Sequence, residues 1–154
     1  MNTEQLKTKV QEIVKLATNL KDKYTDEKKA PVNYACIFAQ NKKEYNTLMA
    51  VAYKLGKVVM KTSTGPLFQI DPLETVSGKV KLLKIRIPDI RRPEQGDADF
   101  TVSDFSDFKK KYLLKDGFNL IKRPNFIMIE LIDLKHDVRA YFSNPSLHVQ
   151  LGIK

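Results

Sequence analysis

The chain has 154 residues and carries 27 Lys+Arg against 18 Asp+Glu, a formal net charge of +9. An apolar fraction of 42% and a mean hydropathy of −0.36 fit a folded soluble protein and exclude a membrane-embedded one. No apolar run approaches the roughly 18 residues that span a bilayer. The one cysteine, Cys36, excludes an internal disulfide framework, and the polar N-terminus carries no apolar signal segment, so the cytoplasm is the expected compartment. The cations are interspersed with acids and form no block of five or six like charges, so a solvated lysine-rich surface is expected in place of a nucleic-acid interface.

Residues 1–30 read as a helix followed by a charged linker. Leu6, Val10, Ile13, Ala17, Leu20 and Tyr24 recur at spacings of 4, 3, 4, 3 and 4, one apolar helix face over residues 4–24, with Thr3 as the expected N-cap. Such a seam is too short for a free coiled coil. It is expected to pack on its own domain, the alternative being a dimer arm.

Residues 31–90 form a first module. A short buried strand at 34–39 leads to Asn41, which caps a helix with Glu44 at the capping-box position. Tyr45, Leu48, Met49, Ala52 and Leu55 line its apolar face up to a stop at Gly56. Strands follow at 57–62, 67–70 and 79–87, with a turn at 63–66. Residues 91–154 repeat this order: a strand at 98–102, Ser103 as cap, a helix face of Phe105, Phe108 and Tyr112, and a stop at Gly117. Strands at 118–122, 126–132 and 138–143 and a short tail complete it. Phe38 and Phe100 lie 62 residues apart, Asn41 and Ser103 also 62, and Gly56 and Gly117 61, so the chain reads as a duplicated βαβββ unit in one α+β domain.

That order resembles the vicinal-oxygen-chelate superfamily of glyoxalases, extradiol dioxygenases and antibiotic-resistance proteins, over about residues 32–145. The resemblance rests on element order and length, with no diagnostic motif. It implies two tandem βαβββ modules whose four-stranded sheets pair into a curved mixed-sheet cup, helices outside and ligand chemistry inside, here preceded by the N-terminal amphipathic helix. It also implies a divalent metal held by a His, Gln or Glu on the first strand of each module and a Glu or His on the last. This chain departs from that pattern. Its first strands offer Tyr34, Cys36, Ile37 and Phe38, then Asp97, Asp99 and Thr101, and its last strands offer Lys84 and Arg86, then Arg139 and Tyr141. Cations at ligand positions repel a metal. The two histidines fall in a turn (His136) and in the tail (His148), both expected to be exposed, so no metal and no other cofactor is expected.

Strand alternation sorts the remaining side chains by face. Leu83, Ile85 and Ile87, Ala98, Phe100 and Val102, and Ile127, Ile129 and Leu131 are expected under the helices. The mixed faces carry Gln69, Lys84, Arg86, Asp99, Thr101 and Glu130, which either form solvated ion pairs such as Arg86 with Asp99 or line a polar cup. Arg91 and Arg92, in the linker 90–97, are either mobile or close over an anion at the rim. Cys36, between Tyr34 and Phe38 on an apolar strand, reads as an inert core thiol. The expected function is metal-independent binding of a small anionic molecule by Gln69, Lys84, Arg86, Arg91, Arg92, Asp99, Thr101 and Glu130. An isomerase or lyase using Glu130 as base is the alternative. A polyanion-binding face of Lys79, Lys81, Lys84, Arg91 and Arg92 is the third reading, and a homodimer through the helical seam or the tail 147–153 stays open.

Overall fold

The computed structural model describes residues 1–153. Helix α1 (Thr3–Tyr24) begins one residue after Asn2, which is the N-cap in place of Thr3. Asn2 and Gln5 satisfy each other's backbone N–H reciprocally, both at 2.8 Å, which closes a capping box that Thr3 has no partner to form. The first half follows as β1 (Val32–Phe38), α2 (Lys42–Leu55), β2 (Gly56–Thr62), β3 (Gly65–Thr75) and β4 (Gly78–Arg86). The second is β5 (Gly96–Phe100), α3 (Phe105–Tyr112), β6 (Phe118–Arg123), β7 (Phe126–Leu131) and β8 (Val138–Asn144), followed by a short helix α4 (Leu147–Leu151). Asn41 caps α2 as expected, its side chain accepting from the Glu44 N–H at 2.8 Å, whereas α3 is capped by Asp104 and not by Ser103.

All eight strands lie in one open mixed sheet of order β2-β3-β4-β1-β5-β8-β7-β6. In each half the helix carries the chain from the first strand to the sheet edge, and two hairpins walk it back. The returning strand is therefore parallel to the first, β4 to β1 and β8 to β5, and the halves join where β1 and β5 pair antiparallel. Three local expectations give way. The stretch 71–78 is not a connection: β3 runs on to Thr75 through an irregularity between Gln69 and Leu73, where Pro72 has no N–H for the ladder. Gly56 ends α2 in an extended conformation, and a Cβ there would lie 2.0 Å from the Gln69 carbonyl oxygen, so close approach of β3 demands the glycine. Gly96 opens β5 two residues before the expected start, paired with Ile37, and a Cβ at that position would meet the Cys36 carbonyl oxygen at 2.2 Å, so this approach demands the glycine.

The core lies between the helices and one face of the sheet. Across that face Val58, Phe68, Leu83, Ala35, Ala98, Ala140, Leu131 and Phe118 are successive register partners. The three central alanines leave depth for α1, which lies across β1, β5 and β8. Larger side chains fill the flanks, where α2 covers β2 to β4 and Phe108 of α3 packs on Phe118 and Phe142. Leu6, Val10, Ile13, Ala17 and Leu20 are fully buried in this core, so the α1 seam is spent within its own domain. No helix among the described residues is long and apolar enough to cross a membrane.

Candidate functional site

The opposite face of the sheet carries the polar strand positions. Met60, Leu67, Lys84, Cys36, Asp97 and Arg139 are successive partners from β2 to β8. This face bounds a cavity of about 370 Å³ lined by Lys84, Arg86, Arg92, Arg123, Asp97, Tyr34, Tyr141 and Cys36. The hydroxyls of Thr62, Ser63 and Thr64, an apolar patch of Met60, Leu67, Ile121, Phe126 and Met128, and Leu147 and Gln150 of α4 complete the wall.

Each cation is held differently. The Lys84 Nζ donates to Thr64 Oγ1 at 2.5 Å, and burial pulls its pKa down while Cys36 and Asp97 oppose the shift. Arg86 stands 3.7 Å from the Asp89 carboxylate, and its Nε is buried with no hydrogen-bond partner among the described residues. The Arg92 guanidinium lies 5.3 Å from the Phe38 ring centroid and donates to the Tyr141 hydroxyl at 2.9 Å. Tyr141 in turn donates to Glu130 Oε2 at 2.5 Å, and burial, then Asp97 and Glu130, push its phenol up. Arg139 fastens the linker: its guanidinium reaches Glu130 (3.3 Å), Glu94 (3.0 Å) and the Arg91 carbonyl (2.8 Å).

The two aspartates of β5 differ sharply. Asp99 is fully buried and saturated, accepting from Asn33 and from both the backbone N–H and the hydroxyl of Ser143. Burial still raises it to about 6 against those hydrogen bonds. Asp97 is 5% exposed, and its Oδ1 is buried without a hydrogen-bond partner among the described residues. Burial first, then the Asp99 charge, raise it to about 7, opposed by Arg92, Lys84 and Arg86.

Of the residues selected from the sequence, Lys84, Arg86 and Arg92 meet in the cavity. The others do not line it. Glu130 is buried outside the cavity lining, its Oε2 accepting from Arg139 and Tyr141. Asp99 is sealed by Ser143 and Asn33, and Thr101 lies beyond the end of β5, its hydroxyl accepting from Asn33. Gln69 belongs to a separate cleft with Lys57, Asp71 and Lys81. Arg91 points to solvent and pairs with Asp89 at 3.1 Å, so the linker, held through its Arg91 carbonyl, does not close over the cup with both arginines. The suggested Arg86–Asp99 ion pair is replaced by Arg86 beside Asp89. His136 and His148 are half-buried and not exposed. Asp97, Tyr34, Tyr141 and Arg123 were not among the selected residues, although alternation with Asp99 places Asp97 on the cup face once β5 is known to start at Gly96.

A divalent metal does not fit this lining: Lys84 and Arg86 occupy one of the strands expected to supply ligands, and Asp97 is the one carboxylate in the wall among the described residues. No family model matches the chain, and no curated protein does. A solved structure described as "Structural Genomics, Protein EC4020" is similar over 97% of this chain and 91% of that one, with a TM-score of 0.74 at 10% sequence identity. At that identity the likeness is one of fold alone.

Proposed function

We propose that the cup binds a small anionic molecule without a metal, in a chain built on the vicinal-oxygen-chelate plan. One observation carries the reading: Lys84, Arg86, Arg92 and Arg123 converge on a cavity whose wall, among the described residues, holds the single carboxylate Asp97. Cations withdrawn from water lose hydration free energy, and an anion seated among them restores it. The family reading is supported by the paired four-stranded halves, joined through their first strands with the helices on the far face. The buried Cys36 thiol suits a reducing cytoplasm. A polyanion-binding face is less well supported, since Lys84 and Arg92 turn into the cavity while Lys79 and Arg91 pair with Glu74 and Asp89.

Isothermal titration with succinate and with inorganic phosphate at low ionic strength tests the reading. Wild-type protein is expected to bind at least one of them, and Lys84→Ala or Arg86→Ala to weaken that binding about tenfold or more. Absence of binding by the wild type, or affinity indifferent to both substitutions, overturns it.

A further inference from the structure

We infer that the ligand of the cup is an anion that carries its own N–H or O–H donor, on the pattern of an α-amino or 2-hydroxy acid, with Lys84 and Arg86 holding its acid group and Asp97 accepting from its donor. The inference rests on the anion-binding reading above and narrows it. Its starting point is the unequal treatment of buried carboxylates in one sheet. The Asp99 carboxylate receives three donors and that of Glu130 two, both on Oε2, yet neither oxygen of Asp97 receives one among the described residues. Buried carboxylate oxygens are as a rule hydrogen-bonded, so the donor missing from the protein is assigned to the molecule in the cavity that Asp97 lines.

A second cavity residue of opposite charge is also under-satisfied: Arg86, whose buried Nε has no hydrogen-bond partner among the described residues and whose guanidinium stands 3.7 Å from Asp89. A bare anion would satisfy Arg86 and leave Asp97 more exposed to like charge. A molecule with an acid group at one end and a donor at the other satisfies both. The register sets the distance between them. Lys84 and Asp97 flank Cys36 on the two neighbouring strands, so their Cα atoms stand two strand spacings, roughly 10 Å, apart. The short Cys36 side chain between them leaves the floor low. Asp97 is ionised at pH 8, above its value of about 7. The groups that face it are Tyr34 and Cys36 of β1, Lys84 and Arg86 of β4, Asp99 of its own strand, Arg139 and Tyr141 of β8, and Arg92 of the linker.

Succinate, malate and aspartate share one dicarboxylate skeleton and differ at C2 by a hydrogen, a hydroxyl or an ammonium group, so titrating all three at pH 8 isolates the donor. Wild-type protein is expected to bind malate and aspartate about tenfold or more tightly than succinate. Asp97→Ala is expected to erase that preference without weakening succinate. Asp97→Asn, which keeps the shape and one acceptor, should retain part of the malate preference and lose the advantage of aspartate. Should the wild type bind all three equally, with Lys84→Ala weakening each, this inference falls and the anion pocket stands. Should Asp97→Ala keep the wild-type preference, the inference also falls. Should none of the three bind, this inference falls, and the reading beneath it falls with it only where inorganic phosphate also fails to bind.

Discussion

Tyr141 shows how one hydroxyl couples the cup wall to its support. It accepts from Arg92 and donates to Glu130, which Arg139 also holds, so the cavity cation, the carboxylate and the linker clamp share one network. Tyr141→Phe removes both bonds while keeping the ring, leaving Glu130 with a single donor and Arg92 without its anchor. The expected loss is about 1–3 kcal/mol of stability in urea unfolding, together with weaker anion binding in the titration above. A variant as stable as wild type would show the network to be surface decoration. Lys84 and Arg86 were legible in the sequence because alternation beside Leu83 and Ile85 fixes their face. Gln69 shows the limit of the same rule: alternation names the face, yet position along the sheet comes from pairing, and Gln69 pairs with Lys57 and Leu82 at the far end of the β2–β3 ladder. Asp97 was named from the sequence only as a possible metal-ligand position and left out of the binding set, because Gly96 reads locally as a turn, whereas it serves here to let two backbones touch.

At the scale of elements, α1 is readable and its seat is not. The apolar spacing of Leu6 to Tyr24 is local, whereas Ala35, Ala98 and Ala140 become one row only through the register of β1, β5 and β8. Ala98 is fully buried at the centre of that row. Ala98→Leu therefore inserts a side chain where the helix lies, and overpacking of this kind costs about 1–3 kcal/mol. Thermal unfolding should show the lower midpoint, and Ala98→Ser, which adds little volume, should cost less by packing alone. Helix α4 is the opposite case. It buries no residue fully, so no core pattern announces it, yet Leu147 and Gln150 form part of the cup wall. Truncation after Pro145 is expected to leave the melting midpoint within a few degrees of the full chain while loosening the bound anion severalfold. A collapse of the midpoint would assign α4 to the core instead.

The whole molecule is two half-sheets closed by one antiparallel pairing, and both buried aspartates sit on that joint, opposite Cys36 and Tyr34. Their titration is therefore a property of the assembled domain. In the folded chain Asp97 and Asp99 hold protons up to about 7 and about 6, against 3.8 for the same groups in the open chain. Between about pH 4 and pH 7 the unfolded chain has released protons that the folded chain keeps, so stability falls as pH rises across that window and levels off above it. Asp89 and Asp133 act with the opposite sign: both are held near 2, by Arg91 and by Tyr24 respectively, and their contribution is lost as pH falls through that value. The net charge of +9 grows in acid and adds self-repulsion, so the raw melting curve mixes several causes. Asp97→Asn separates them, because asparagine imitates the protonated acid at every pH. Near pH 5 the variant should melt with the wild type, and at pH 8 it should melt several degrees higher, since only the wild type must then bury a charge. The reverse order at pH 8 would mean that Lys84, Arg86 and Arg92 together hold the carboxylate firmly ionised, and that Asp97 has no need of a donor from outside the protein.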